Sequence, residues 1–170
     1  MKVAYADPPY IGLANYYPEK TEVDHLELIA RLCRDYDCWA LSASSSSLKE
    51  ILSYCPPDVR IAAWVKPFCS FKPNVNPAYA WEPIVFWHPR SRGRDCPTTR
   101  DWLAESMALK KGMIGVKPPR LCFWLFDLLG LELEDTLDDL FPGSGVVTVC
   151  WEQWLIMKSG KQISLELEVL

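Results

Sequence analysis

The chain holds seven cysteines in 170 residues but no C-x-x-C pair. The cysteines (33, 38, 55, 69, 96, 122 and 150) are odd in number and scattered, and neither of the two histidines stands at ligand spacing from one of them. This argues against a zinc ribbon or a disulfide framework and for a reducing cytosol. No metal site is expected. No run reaches the roughly 18 apolar residues that a membrane span needs. A single lysine ahead of a strand-like run does not make a secretory signal. G-x-x-x-x-G-K-[ST] is missing too, which disfavours a nucleoside triphosphate. With no internal repeat and no sign of a second domain, residues 1–170 read as one domain.

What is present suffices for a core, since 49% of the residues are hydrophobic and 24% charged. The net charge of −4 is unevenly spread. Residues 60–120 carry 11 Lys/Arg against 4 Asp/Glu, and the remainder 7 against 18. A basic stretch on an acidic protein suits either a nucleic-acid face or a solvated surface.

Lys2–Ala6 reads as a short buried strand. Thr21 with Asp24 forms a capping box for a helix whose apolar face is Leu26, Ile29, Ala30 and Cys33. "CWALSA" (38–43) is a second strand. Ser47 caps a helix that Pro56 and Pro57 stop, and "VRIAAWV" (59–65) is a third strand. Strand, helix, strand, helix, strand with short joints predicts a mostly parallel sheet covered on both faces. Residues 67–81 read as loop, "PIVFWH" (83–88) as a strand, and 89–100 as a basic loop. A helix through Leu121, Trp124, Leu125 and Leu128 ends at Gly130. "TLDDLFPGSG" (136–145) is a strand entering a glycine turn. A helix through "VVTVCWEQWLIM" and a closing strand "QISLELEV" complete the reading.

Two corners carry chemistry. In "DPPY" (7–10) each proline fixes its own φ and pushes the preceding residue toward an extended backbone. The corner is rigid, offers no proline N–H, and presents only acceptors: carbonyls and the Asp7 carboxylate. A planar –NH2 group with two hydrogens to donate fits that need, and Tyr10 can stack on the ring bearing it. Two acceptors holding both hydrogens favour a pyramidal nitrogen and localise its lone pair, which is transition-state stabilisation by fixed dipoles and needs no metal. At average residue usage the tetrapeptide arises by chance about once in a thousand chains of this length. The plain alternative is a stiff turn.

The second corner is the glycine turn. Gly143 and Gly145 permit close approach, and the helix beyond offers free N–H groups. Asp139 can receive an ammonium or hydroxyl donor. Glu166 or Glu168, near the end of the closing strand, can hold ribose hydroxyls. Gly-Ser-Gly alone is also a simple tight turn, and it is the order strand, glycine turn, helix, strand, acid that points to a nucleoside-bearing cofactor.

DPPY at a strand end, followed downstream by "FPGSG", resembles the S-adenosylmethionine-dependent amino methyltransferases of nucleic acids. With the amine corner ahead of the donor turn, the order is similar to the permuted β-class of DNA methyltransferases and to the adenine methyltransferases that include the messenger-RNA enzymes. "WVKP" (64–67), "WEPIVFW" (81–87) and the Lys-Pro helix "KPPRLCFWLFDLL" (117–129) extend the resemblance over nearly the whole chain. It implies a Rossmann-like α/β fold with a mostly parallel sheet of six or seven strands and helices on both faces. It implies methyl transfer from S-adenosylmethionine to the adenine N6 amine in DNA. Asp7, Pro8, Pro9 and Tyr10 would be catalytic. Asp139, Phe141, Gly143, Ser144 and Gly145 would line the donor pocket, with Lys117 and Pro118 nearby and Glu166 on the ribose (Glu168 as its rival). Arg90, Arg92, Arg94 and Arg100 are the candidate phosphate contacts, joined by Lys66. Phe68, Phe71, Tyr79 and Trp81 suit either base stacking or packing, and His25 and His88 read as surface and structural residues. Residues 67–116 are the possible minimal target-recognition region, short enough that a partner subunit or a second copy would supply selectivity. Cytosine N4, RNA adenine, and a lapsed fold that only binds nucleic acid or a partner are the alternatives.

Overall fold

A computed structural model describes residues 1–17, 20–68, 75–108 and 116–160. Its centre is a six-stranded sheet in the order β5-β3-β4-β2-β1-β6. The strands are β1 (Lys2–Ala6), β2 (Cys38–Ser42), β3 (Arg60–Val65), β4 (Trp81–Trp87), β5 (Trp102–Ala104) and β6 (Thr136–Asp139). β1 pairs in parallel with β2 and with β6, and β3 in parallel with β5. β4 is antiparallel to both its neighbours, β2 and β3. The architecture is the expected Rossmann-like α/β sheet with helices on both faces.

Alternation along the strands builds two cores. Val3 and Tyr5 of β1, Cys38 and Ala40 of β2, and Ile84 and Phe86 of β4 face α3 (Pro119–Leu129) and α4 (Val146–Lys158). Ala4, Ala6, Trp39, Leu41 and Val85 face α1 (His25–Asp35) and α2 (Leu48–Tyr54). Full burial of a Leu or Phe side chain contributes about 1.5–3 kcal/mol, and Leu32, Leu41, Phe126 and Leu129 are wholly buried. No helix among the described residues is long and apolar enough to cross a membrane.

Several local expectations change. The N-cap of α1 is Asp24, whose carboxylate accepts the Glu27 N–H at 3.0 Å, rather than Thr21. The buried stripe follows as His25, Leu28, Ile29 and Leu32, while Leu26 and Ala30 are exposed. The inward face is turned by about one residue from the expected one. His25 is thus buried, with its Nδ1 2.9 Å from the Val23 carbonyl. α2 starts after Ser47 as expected, but Ser47 makes no side-chain cap; its N–H donates to Ser44 Oγ at 3.2 Å. β5 was not foreseen, because three residues carry too little alternation to stand out. Two of the sheet's strands, β4 and β5, therefore arise within 67–116. The expected strand "QISLELEV" lies outside the described residues.

The termini of α3 match their sequence. Pro119 takes the first turn, where a missing N–H costs nothing. Gly130 closes the helix at φ 73°, its N–H bonded to Asp127 O while Leu131 N–H reaches Phe126 O. That pair of bonds is the Schellman arrangement, which requires the left-handed backbone that glycine supplies.

Candidate active site

The two corners meet. β1 and β6 run side by side in the same direction with Tyr5 opposite Asp139, and the Leu140 N–H donates to Tyr5 O at 2.9 Å. DPPY and the glycine turn therefore leave the sheet at the same end, from neighbouring strands. From β1 the chain proceeds to β2 on one side, and β6 lies on the other. A crevice at the carboxyl ends of strands with diverging connections is where open α/β sheets bind ligands.

At the donor corner, Gly143 has φ 46° and Gly145 φ 73°, and the Gly145 N–H bonds to Pro142 O at 2.7 Å. A Cβ on Gly145 would meet no atom within 4 Å, so the turn faces open space. Among the described residues no side chain caps α4, and the first N–H groups of a helix have no partner within it. Asp139 is half-buried, and among the described residues its Oδ2 is buried without a hydrogen-bond partner. Its other oxygen accepts only a long 3.4 Å bond from the Phe141 N–H. Burial, with a smaller push from the Asp7 charge, raises the Asp139 pKa. A buried acceptor left unpaired carries its desolvation cost unrelieved. The corner has the form of a seat for a cationic or polar donor. Phe141 and Ser144 lie partly buried in the same turn.

At the amine corner, Pro8 is buried and Asp7, Pro9 and Tyr10 are half-buried. Lys117 was expected near the donor turn. Its ammonium lies 2.9 Å from Asp7 Oδ1 and 3.5 Å from Glu82 Oε2, on a side chain only 6% exposed. Pro118 is buried beside it. Glu82 also accepts the Tyr10 hydroxyl at 2.9 Å and pairs with Lys66. The two ammonium groups lie 5.3 Å (Lys117) and 4.7 Å (Lys66) from the Trp64 ring centroid. Below them Tyr5 and Ser42 share a 2.7 Å hydrogen bond.

The electrostatics follow from burial opposed by pairing. Burial pushes the Asp7 carboxyl up; Lys117 opposes this and Glu82 adds to it, leaving the pKa above its ordinary value. Burial pushes Glu82 up as well, but Lys117 and Lys66 together outweigh it and hold that carboxyl below its usual range. For Lys117, burial pushes down and is overcome by Asp7, Tyr5 and Glu82, so its pKa rises. Burial first, then the neighbouring carboxylates, raise the Tyr10 pKa.

The basic loop lies elsewhere. β4 runs opposite to β1, so the chain after it emerges at the far end of the sheet from the amine corner. There Arg90 forms a two-pronged pair with Asp135 at 2.7 and 2.8 Å, another with Glu132 at 3.0 Å, and a bond to Gly130 O at 3.0 Å. Arg92 and Arg94 are exposed, and Arg100 lies over the Trp102 ring. Lys66 is at the right end but inward, its side chain 11% exposed. Phosphate contact beside a bound base thus finds no geometric support at these five positions. At the cleft end, Phe68, Tyr79 and Trp81 are exposed. Glu166, Glu168 and Phe71 lie outside the described residues. Sequence reasoning missed Glu82; only the antiparallel register that sets it opposite Trp64 brings it to Asp7's surroundings.

No family model matches the chain, and no curated protein matches it in sequence. Solved structures do match in fold. A crystal structure of the M1.HpyAVI–SAM complex superposes with a TM-score of 0.63 at 16% identity, covering 91% of this chain and 78% of that one. A second crystal structure of M1.HpyAVI gives 0.59 at 15% identity, covering 91% and 76%. At such identity the likeness is one of fold.

Proposed function

We propose that the chain is an S-adenosylmethionine-dependent methyltransferase that acts on the N6 amine of adenine in DNA. The observation that carries the reading is the pairing of β1 with β6, which sets the Asp7-Pro8-Pro9-Tyr10 corner beside a glycine turn where, among the described residues, a buried carboxylate oxygen has no partner. The fold it shares with a protein crystallised with SAM adds support. S-adenosylmethionine, when bound, supplies an electrophilic methyl group on a sulfonium.

The residues present fit such a cofactor. Among the described residues no donor reaches Asp139 Oδ2, which would take the ammonium of the methionine part. The uncapped N-terminus of α4 and the turn at Gly143, Ser144 and Gly145 leave room for backbone approach to the cofactor's polar groups, with Phe141 beside them. Glu166 or Glu168 remains the proposed ribose acid.

At the other corner Asp7 and the Pro8 carbonyl hold the two amine hydrogens, the rigid Pro8–Pro9 bend fixes their direction, and Tyr10 stacks on the base. Asp7 polarises the nitrogen rather than acting as a strong base, since the methylated nitrogen is acidic enough to release its proton to water. A target base in a duplex would have to leave the stack. The order of the corners suits the permuted β-class.

A methyl transfer assay with radiolabelled S-adenosylmethionine across DNA and RNA tests this, followed by digestion and identification of the labelled nucleoside. N6-methyl-2′-deoxyadenosine from DNA is the expected product. Label on cytosine N4 or in RNA only would replace the acceptor, and no transfer with no cofactor binding would leave a scaffold.

A further inference from the structure

The four charges Lys66, Glu82, Lys117 and Asp7 form a line of alternating sign across four parts of the fold: the end of β3, the start of β4, the residues ahead of α3 and the end of β1. Their side chains are 11%, 18%, 6% and 22% exposed in that order. Burying four charges is weak evidence for stability, because desolvation offsets most of the attraction. The line also has a direction. Lys66 at one end has one carboxylate partner, while Asp7 at the other is the most exposed member and gives only one oxygen to Lys117.

We propose that Lys117 and Glu82 are positioning residues of opposite effect, Lys117 keeping Asp7 ionised in its buried seat and Glu82 limiting how tightly Lys117 claims it. This rests on the functional reading above and deepens it. The ammonium of Lys117 has three N–H groups. It stands where a donor to Asp7 must stand, 2.9 Å from Oδ1, yet a second carboxylate lies 3.5 Å away. A shift of a few tenths of an ångström moves it from Asp7 toward Glu82. Asp7 then keeps its charge and gains lone pairs for an incoming amine. Lys66 keeps Glu82 ionised from behind. The other titratable groups facing Asp7 are Tyr5, Tyr10 and Tyr17, with Ser42 in hydrogen-bond reach and Asp139 across the cleft. Among the described residues, Lys117 is the cation that faces it.

The test reads the charge on Asp7 directly and then in turnover. In protein carrying carboxyl-13C aspartate, with the Asp7 signal identified by its loss in Asp7→Asn, the titration midpoint is followed in wild type, Lys117→Met and Glu82→Gln. Lys117→Met should raise it by about one pH unit or more and Glu82→Gln should lower it, because opposite and like charges at this range act in opposite senses. The acidic limb of the methyl-transfer pH profile should move with the same signs, about tenfold in the ionised fraction per unit. Lys117→Arg should return the midpoint toward wild type. Unmoved midpoints, or two shifts of the same sign, overturn the proposal, as do limbs that stay fixed while midpoints move. Should Lys117→Met fail to fold, Glu82→Gln decides alone by its sign. A wild type that titrates as expected but transfers no methyl group sinks the functional reading and leaves the charge chain standing.

Discussion

Replacing Asp139 by asparagine separates a binding role from a structural one. Its Oδ2 is buried with no partner among the described residues, and Oδ1 makes only the 3.4 Å bond to Phe141. Asparagine keeps the shape and an oxygen acceptor for that bond but removes the charge. A hydrogen bond to a charged group is worth about 1.5–3 kcal/mol, so the affinity for S-adenosylmethionine should fall by about 10- to 150-fold. The stability of the ligand-free protein should move the other way. Burial raises the Asp139 pKa, so its contribution is full below the unfolded value near ~3.9 and is lost as pH rises through the folded value. The uncharged amide has no such loss, and the variant should equal or exceed wild-type stability at neutral pH. Titration calorimetry gives the affinity and urea unfolding from about pH 4 to 8 gives the stability. Wild-type affinity, or a destabilisation beyond about 1 kcal/mol, refutes the argument, because either would show the carboxylate already satisfied by the fold.

Asp7→Ala should lower methyl transfer by about 10²–10³-fold, the range for deleting one preorganised polar group, while calorimetric cofactor affinity changes less than about threefold. Gly145→Ala forces φ 73° on a residue with a Cβ, costing about 1–2 kcal/mol in thermal unfolding, and its methyl enters the space before α4, so cofactor affinity should fall as well. Arg90→Leu takes the guanidinium from Asp135, which keeps the N-terminal ammonium and the Glu132 N–H; urea unfolding should show a loss of about 1–2 kcal/mol and no change in cofactor affinity. Arg92→Glu with Arg94→Glu, at the far end of the sheet, should leave the KM for DNA within about threefold, and a tenfold rise would return the basic loop to the substrate path.

The elements were legible where local chemistry decides them. Proline at 119 and glycine at 130 bracket α3, and the run Val3, Ala4, Tyr5, Ala6 marks a strand buried on both faces. Both corners were legible for the same reason, as rigid or permissive backbone at strand ends. What the sequence hid depends on strand direction. "WEPIVFW" reads as a strand in either sense, and only pairing with β2 and β3 sets it antiparallel. Lys117, the lysine of the Lys-Pro pair ahead of α3, gives no local sign of what it binds. Its actual partner, Asp7, lies 110 positions earlier (117 less 7) and is reached only through the folded sheet. The α1 cap failed more locally: Thr21 and Asp24 both suit the role, and Asp24 wins by placing His25, Leu28, Ile29 and Leu32 inward.

The reversed direction of β4 has consequences for how the middle of the chain can serve the site. Because β4 starts at the cleft end, Trp81 and Glu82 stand beside the amine corner, and because it ends at the far end, the arginines that follow are carried away from it. Among the described residues the positive charge between 60 and 120 is thereby divided. Lys66 and Lys117 turn inward to hold carboxylates, and Arg90 braces Asp135 at the opposite pole. The cleft rim is left with exposed aromatics, Phe68, Tyr79 and Trp81, rather than an array of free cations among the described residues. On the proposed function, the described part of the rim would offer a nucleic-acid substrate stacking surfaces rather than phosphate charge. Affinity for single-stranded DNA should therefore fall with salt at a shallow slope, equivalent to about two or fewer phosphates neutralised, and fluorescence anisotropy from about 50 to 300 mM salt would measure it. A slope equivalent to about six or more would require a basic surface at the cleft that the described residues do not provide.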